Sequence, residues 1–189
     1  MLHSAALKRH PGTSSEAVRG IEARVSWTPD GGLAFTYALK GDLARVRIPP
    51  PRPPQRADRL WQHTCFEAFV AVTGEQAYRE FNFAPSGEWA VYDFQRFRAG
   101  GQSVKEGSAP QITVRSASAS LKLNAVVGQD RLPAIAPGAR LKLALCAVIE
   151  EESGRLSYWA LNHAPGRPDF HHAEAFALEI GGAGQVVVR

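Results

Sequence analysis

The sequence lacks any long apolar run. No stretch approaches the roughly 18 consecutive apolar residues of a membrane-spanning helix. A secretory signal places its basic residues before a longer apolar core, whereas Lys8 and Arg9 follow the few apolar residues at the N-terminus. We therefore expect no export signal, no membrane partner and a cytoplasmic location.

Cysteine is also scarce, with only Cys65 and Cys146 in 189 residues. Cytoplasmic thiols are kept reduced, so we expect both cysteines to be free. Structural zinc sites show a recognisable spacing of cysteine or histidine ligands, and these two cysteines each stand alone. The sequence therefore predicts no zinc site of that kind.

The excess of positive charge is small. The formal net charge is +4, and five arginines fall between Arg45 and Arg59 around a proline-rich segment. No DNA- or RNA-binding motif accompanies them, and a modest arginine excess is typical of a solvated surface. We expect no nucleic-acid partner.

The sequence does contain sustained period-two alternation of apolar and polar residues, which is typical of strands buried on one face. Residues 21–28 and 33–39 alternate in this way around the turn sequence Pro-Asp-Gly-Gly, and this predicts a hairpin. Further strand-like segments cover residues 64–72, 77–84, 88–97, 111–127, 141–149, 156–163 and 175–180. No amphipathic helix of useful length and no internal repeat interrupts them. The expected fold is an all-β antiparallel sandwich.

The same pattern indicates the organisation of the chain. Alternation begins near residue 20, so we expect residues 1–19 to be a flexible segment and residues 20–189 to form a single domain. Five prolines between Pro49 and Pro54 cannot supply ladder donors. They predict an extended arm packed across an edge or end of the sandwich.

Three blocks of sequence carry a resemblance to a known family. They are LWQHTCFEAFVAV at 60–72, YREFNFAPSGEWAVYDF at 78–94 and YWALNHAPGRPDFHH at 158–172. These blocks resemble bacterial DOMON-like proteins related to family-9 carbohydrate-binding modules. The resemblance implies an immunoglobulin-like β-sandwich that binds sugars or haem on or beside one sheet. It does not by itself imply an enzyme, and the ligand must be argued from the site.

A sugar site needs aromatic rings for the C–H faces of the sugar and a few convergent polar groups for its hydroxyls. Trp61, Trp89, Tyr92 and Trp159 are the candidate stacking residues. The residues predicted to form the ligand site are Trp61, His63, Glu80, Asn82, Trp89, Asp169, His171 and His172. Within this set we expect the last three chiefly to brace the final turn beside the ligand. The favoured function is a non-catalytic module that binds a carbohydrate or a related small polar metabolite.

Haem and metal binding are the first alternatives. The resemblance extends to cytochrome-type relatives that ligate iron through methionine and histidine, but the only methionine here is Met1. Bis-histidine ligation by His63 with His163, His171 or His172 stays open. A metal held by Asp169, His171 and His172 is disfavoured, because adjacent strand residues point to opposite faces. We expect no cofactor.

A glycan-acting hydrolase is the remaining alternative. Glu67 and Glu80 lie in strands that can be neighbours, and two carboxyl groups flanking a glycosidic bond are the machinery of such enzymes. No nucleophile elbow or complete triad is present. We therefore expect a protein without catalytic activity.

Overall fold

The computed structural model describes residues 2–181, and every strand pairing in it is antiparallel apart from one isolated bridge. The strands are β1 (Leu2–Arg9), β2 (Val18–Trp27), β3 (Leu33–Gly41), β4 (Cys65–Val72), β5 (Tyr78–Phe83), β6 (Trp89–Arg96), β7 (Ala99–Ser103), β8 (Gln111–Ala117), β9 (Ser120–Val127), β10 (Arg140–Glu150), β11 (Leu156–Ala160) and β12 (Leu178–Gly181). Short 3-10 turns lie at Leu43–Arg45, Leu60–Gln62, Gln129–Arg131 and Ala173–Ala175. The fold is an antiparallel β-sandwich, as the alternation predicts.

The strands form two sheets. Sheet A has the order β1-β2-β3-β9-β8, and sheet B has the order β7-β6-β5-β4-β10-β11, with β12 beside the start of β10. Strand β1 belongs to both sheets. Its residues 2–7 pair with β2, whereas Lys8 and Arg9 pair with Ala160 and Trp159 of β11.

The main core lies between the two sheets and is built from one face of each. Phe35 and Leu123 of sheet A meet Phe66 and Phe81 of sheet B there, and all four side chains are inaccessible to solvent. Tyr37 crosses the interface and donates a hydrogen bond from Oη to the backbone carbonyl of Glu67 at 2.6 Å. The alternate apolar residues of the strands therefore form the core between the two sheets.

A second, smaller apolar cluster covers the opposite face of sheet B, which we call the outer face. Phe69 and Cys146 of the sheet pack there with Phe170 and Ala175 from the segment that precedes β12. Because both faces of sheet B are covered, every residue of β4 is buried. This explains why residues 64–72 are apolar at almost every position rather than at alternate ones.

The structure corrects the prediction for residues 1–19. Leu2–Arg9 form strand β1 instead of a flexible segment, and Leu7 is part of the main core. The mainly exposed side chains of β1 hide this strand from a sequence pattern search. Of the predicted domain, residues 182–189 lie outside the described residues, as does Met1 of the predicted segment.

The proline-rich arm runs along the first residue of β6. Trp89 donates its N–H to the carbonyl of Gln55 at 3.1 Å, and its own carbonyl accepts from Ala57 at 2.9 Å.

The two cysteines are buried and free, in agreement with the prediction. Over residues 2–181 no helix has the length and hydropathy needed to cross a membrane.

Candidate functional site

A pocket of about 420 Å³ opens on the outer face of sheet B. Its size lies within the roughly 300–1,000 Å³ that is usual for small-molecule sites. It is lined by Trp61, Glu67, Glu80, Tyr92, Phe94, Arg98, Gly101, Val148, Tyr158, Pro168, Asp169, Phe170 and His171. The sheet supplies the floor, while the loop before β4, the turn after β6 and the segment before β12 supply the walls.

Two glutamates lie side by side in the floor. Glu67 of β4 is paired with Asn82 of β5, and Glu80 precedes Asn82 by two residues, so all three side chains share the outer face. Asn82 is fully buried and donates from Nδ2 to Oε1 of Glu80 at 2.7 Å. Glu67 is only 3% exposed, its Oε1 has no hydrogen-bond partner, and no described residue donates to its carboxyl group.

Burial sets the protonation of this pair, because a charged carboxylate is poorly solvated there. Burial raises the pKa of Glu67 well above its ordinary value, and the neighbouring charge of Glu80 raises it further. Burial also raises the pKa of Glu80 to about 7, although the Asn82 hydrogen bond opposes the shift. The pair therefore carries at least one proton at neutral pH.

One wall is organised around the imidazole of His171. The Tyr78 hydroxyl accepts the N–H of Arg98 at 3.2 Å and donates to Nδ1 of His171 at 2.8 Å. Burial, followed by the charge of Arg98, lowers the pKa of His171 to about 4. The ring is thus neutral at pH 7 with its proton assigned to Nε2, which lies 3.7 Å from Oε2 of Glu80.

Asp169 ties the same wall to the turn after β6. Its Oδ1 accepts from Nη2 of Arg98 at 2.8 Å and from the backbone N–H of His171 at 3.0 Å. The bracing role predicted for Asp169 is therefore consistent with its contacts. The ion pair also leaves Arg98 engaged at the pocket rim.

Aromatic rings also line the pocket. Trp61 is 40% exposed and meets Tyr92 edge to face, with ring centroids 5.7 Å apart. Tyr92 is held by donating from Oη to Oδ1 of Asp58 at 2.8 Å. Tyr158 and Phe170 pack against each other across the pocket, with centroids 6.0 Å apart. Rings thus face the pocket from several elements.

Two backbone positions beside the pocket have left-handed geometry. Arg59, just before the Leu60–Gln62 turn that carries Trp61, has φ 62°, and Arg98 has φ 52°. Among residues 2–181 they are the non-glycine residues with positive φ. Such conformations are unfavourable for L-residues and concentrate at functional sites.

The structure brings together Trp61, Glu80, Asp169 and His171 of the predicted set, with Asn82 directly beneath them. It corrects the placement of Trp89. The register pairs Trp89 with Phe83, so its side chain points into the main core, where it is 7% exposed. There the guanidinium carbon of Arg131 lies 4.6 Å from its ring centroid.

Three further candidates also lie outside the pocket lining. Trp159 packs into the main core. The side chain of His63 is 65% exposed, and its Nδ1 lies 2.7 Å from Oε2 of Glu150. His172 caps the Ala173–Ala175 turn by accepting the N–H of Glu174 at 3.3 Å, and it lines a neighbouring depression. The structure therefore corrects the placement of His63 and His172 in the ligand site.

Among the lining residues of the pocket, His171 is the one histidine. Its Nδ1 is taken by Tyr78, and no second imidazole faces it across the pocket. Within residues 2–181 no group of three histidine, cysteine or acidic residues is placed to hold a metal ion. The pocket residues thus do not fit a bis-histidine haem.

Sequence reasoning missed Phe94, Arg98, Tyr158 and Phe170 as pocket residues. Tyr92 was weighed as a stacking residue and does line the pocket. Tyr158 and Trp159 are adjacent in β11, so their side chains point to opposite faces of the sheet. Trp159, the predicted stacking residue, is the one that faces the main core. Arg98 lies in a turn whose position depends on β7, and its sequence context carries no signal of a site.

Comparison with solved structures finds similar β-sandwich folds. The chain superposes with a TM-score of 0.69 on a crystal structure from Bacteroides uniformis ATCC 8492, of a protein to which carbohydrate binding is ascribed. That match has 16% identity and covers 95% of this chain and 86% of the other. No family model and no curated protein sequence matches the chain.

Two structures of a family-9 carbohydrate-binding module from Caldicellulosiruptor kristjanssonii are also similar. One contains cellotriose and matches with a TM-score of 0.51 and 9% identity over 87% of this chain and 75% of the other. The other contains glucose and matches with a TM-score of 0.52 and 10% identity over 97% and 87%. At these identities the likeness establishes the β-sandwich fold and leaves the ligand to be argued from the pocket.

Proposed function

We propose that this protein is a non-catalytic module that binds a small carbohydrate in the pocket on the outer face of sheet B. The observation that carries the proposal is the combination, in one pocket, of an exposed tryptophan ring and further aromatic rings with buried hydrogen-bonding groups. Trp61 and Tyr92 offer apolar surface for a sugar ring, while Glu80 and His171 offer polar atoms at its base. Sugars are bound by this pairing of surfaces.

The fold supports the proposal. The similar structures include modules that hold cellotriose and glucose, and one further protein to which carbohydrate binding is ascribed. The block resemblance to DOMON-like proteins points to the same class. A cytoplasmic location, which remains a prediction, favours a small saccharide over a polymer.

The burial of the carboxyl groups supports the proposed lack of catalysis. Glu67 and Glu80 project from adjacent strands into one floor. A glycosidase needs both carboxyl groups to reach the scissile bond. Glu67 also lies at the bottom of the pocket with almost no exposed surface.

Isothermal titration calorimetry with glucose, cellobiose and cellotriose tests the proposal. We expect saturable binding, with Trp61→Ala weakening it by about tenfold, which corresponds to about 1.4 kcal/mol. Leu2→Ala is the control, because Leu2 is an exposed large apolar residue of β1 outside the pocket lining. It should leave affinity unchanged. An absence of binding across a broad panel of saccharides would refute the carbohydrate function, and release of free sugar from cellotriose would refute the non-catalytic one.

A further inference from the structure

The ionisable groups of the pocket do not balance one another. Arg98 is the cation among the lining residues, and its guanidinium is paired with Asp169. His171 is neutral at pH 7 because burial lowers its pKa. Glu67 and Glu80 are therefore left without a cationic partner of their own in the described lining.

The surroundings of Glu67 supply no positive charge from any strand packed against it. Cys65 lies two residues away on β4, Cys146 faces it from β10, and Tyr158 approaches from β11. Glu80 of β5 is an additional acid, and Arg98 interacts with Glu80 rather than with Glu67. A buried carboxyl group with no donor is an unfavourable arrangement that a ligand donor would relieve.

Aromatic rings surround the space above these carboxyl groups. Trp61, Tyr92 and Tyr158 line the pocket, and the faces of such rings attract cations. A wall of rings over two carboxyl groups that lack a cationic partner favours a protonated amine over a neutral hydroxyl at the same position. The aromatic walls and the acidic floor are built from different side chains, and both favour a cation at this position.

We propose that the natural ligand is an amino sugar, a hydroxylated ring whose protonated amine is held between the carboxyl groups of Glu67 and Glu80. This inference rests on the proposed carbohydrate function and specifies the chemical class of the ligand. The sugar ring packs against Trp61, and the amine completes the hydrogen bonding of Glu67. A second consequence is that the amine displaces the proton that the carboxyl pair holds in the free protein.

The direct test compares sugars that differ only at nitrogen. Titration calorimetry at pH 7 is run with glucosamine, galactosamine and 6-amino-6-deoxyglucose, each against its hydroxyl parent, and with N-acetylglucosamine. We expect at least one amino sugar to bind at least tenfold more tightly than its parent. N-acetylglucosamine should show no such gain, because acetylation removes the charge. Repeating the titration at pH 6 in buffers of different ionisation enthalpy should detect proton release.

Two variants locate the amine. Glu67→Gln should abolish the preference for the amino sugar, because the amide keeps the shape and removes the charge. Glu106→Gln, at an exposed glutamate outside the pocket lining, should leave the preference intact. The comparison of ligands on the unaltered protein decides the question even if Glu67→Gln fails to fold.

The outcomes separate the two proposals. Equal affinity for amino sugars and their parents would overturn the amino-sugar inference and leave the carbohydrate function standing. Binding of cyclohexylamine without binding of any sugar would overturn the carbohydrate function, and the amino-sugar inference with it. Tight amino-sugar binding that survives Glu67→Gln would also overturn the inference.

Discussion

The hydroxyl of Tyr78 donates to Nδ1 of His171 at 2.8 Å, and this bond joins sheet B to the segment that covers it. The same oxygen accepts the N–H of Arg98 at 3.2 Å. One side chain thus positions both the turn after β6 and the wall that faces Glu80.

Replacing Tyr78 with phenylalanine is expected to lower the free energy of unfolding by about 1–3 kcal/mol, because the Arg98 N–H and His171 Nδ1 both lose their partner. Urea denaturation monitored by tryptophan fluorescence measures the change. Tyr158→Phe is the control. Tyr158 lines the pocket, and no described residue forms a hydrogen bond with its hydroxyl. Equal losses in the two variants would show that the Tyr78 bond does not brace the pocket.

Stability should depend on pH through Glu80. Its folded pKa of about 7 lies above its ordinary value of 4.5. Its contribution is therefore fully present below pH 4.5 and is lost as pH rises through 7. Relative to the unaltered protein, Glu80→Gln should become progressively more stable over this range, by no more than about 1.4 kcal/mol per pH unit. Denaturation curves at half-unit intervals of pH measure the difference.

His171 contributes with the opposite sign over part of that range. Its folded pKa of about 4 lies below the ordinary 6.5, so its contribution is complete above pH 6.5 and is lost as pH falls towards 4. Where His171 titrates alike in the unaltered protein and in Glu80→Gln, its contribution cancels from the difference between their free energies of unfolding. A pH-independent difference between them would contradict the assignment to Glu80.

The core position of Trp89 predicts a structural effect. Trp89→Ala should lower the free energy of unfolding by about 3–5 kcal/mol, because the large ring leaves a cavity beneath Arg131. Trp61→Ala, at a 40% exposed ring, should change stability by about 0.5 kcal/mol. Thermal denaturation compares the two variants. If Trp61→Ala were the more destabilising change, the assigned faces would be wrong.

We expect no haem in the purified protein. The pocket presents His171 alone among its lining residues, with Nδ1 already bonded to Tyr78. A visible absorption spectrum of the protein as isolated, and again after incubation with hemin, should lack the Soret and α/β bands of a bis-histidine complex. Appearance of those bands, and their loss in His171→Ala, would contradict this expectation.

Much of the fold could be predicted because alternation reports burial on one face. The hairpin β2–β3 follows from that rule, whereas β4 could be predicted from its nearly continuous apolar run, because both of its faces are buried. Strand β1 escaped it because most of its side chains are not buried, and β7 because glycines occupy two of its five positions. The strand-like segments of the sequence number nine, or ten if residues 111–127 are divided, whereas residues 2–181 contain twelve strands.

The site was predicted in part for a similar reason. Tyr78, Glu80 and Asn82 occupy alternate positions of β5, so the period of a strand alone predicts one shared face, and the structure agrees. Whether Trp89 or Tyr92 joins that face depends on the register of the next strand. A five-residue loop sets that register by pairing Phe83 with Trp89. The sequence alone does not give the length of this loop, because the residue pattern does not show where one strand ends and the next begins.

The membership of β1 in both sheets has a consequence for the order of folding. Lys8 must pair with Ala160, which lies 152 residues later in the chain, before β1 can join sheet B. Contacts of such long sequence separation slow folding, because a large loop must close before the pairing stabilises it. On the ribosome, strands β2 and β3 can pair early, whereas β1 keeps one edge unsatisfied until β11 emerges. The covering segment, including His171, follows later still, so the pocket is completed only after β11 has emerged.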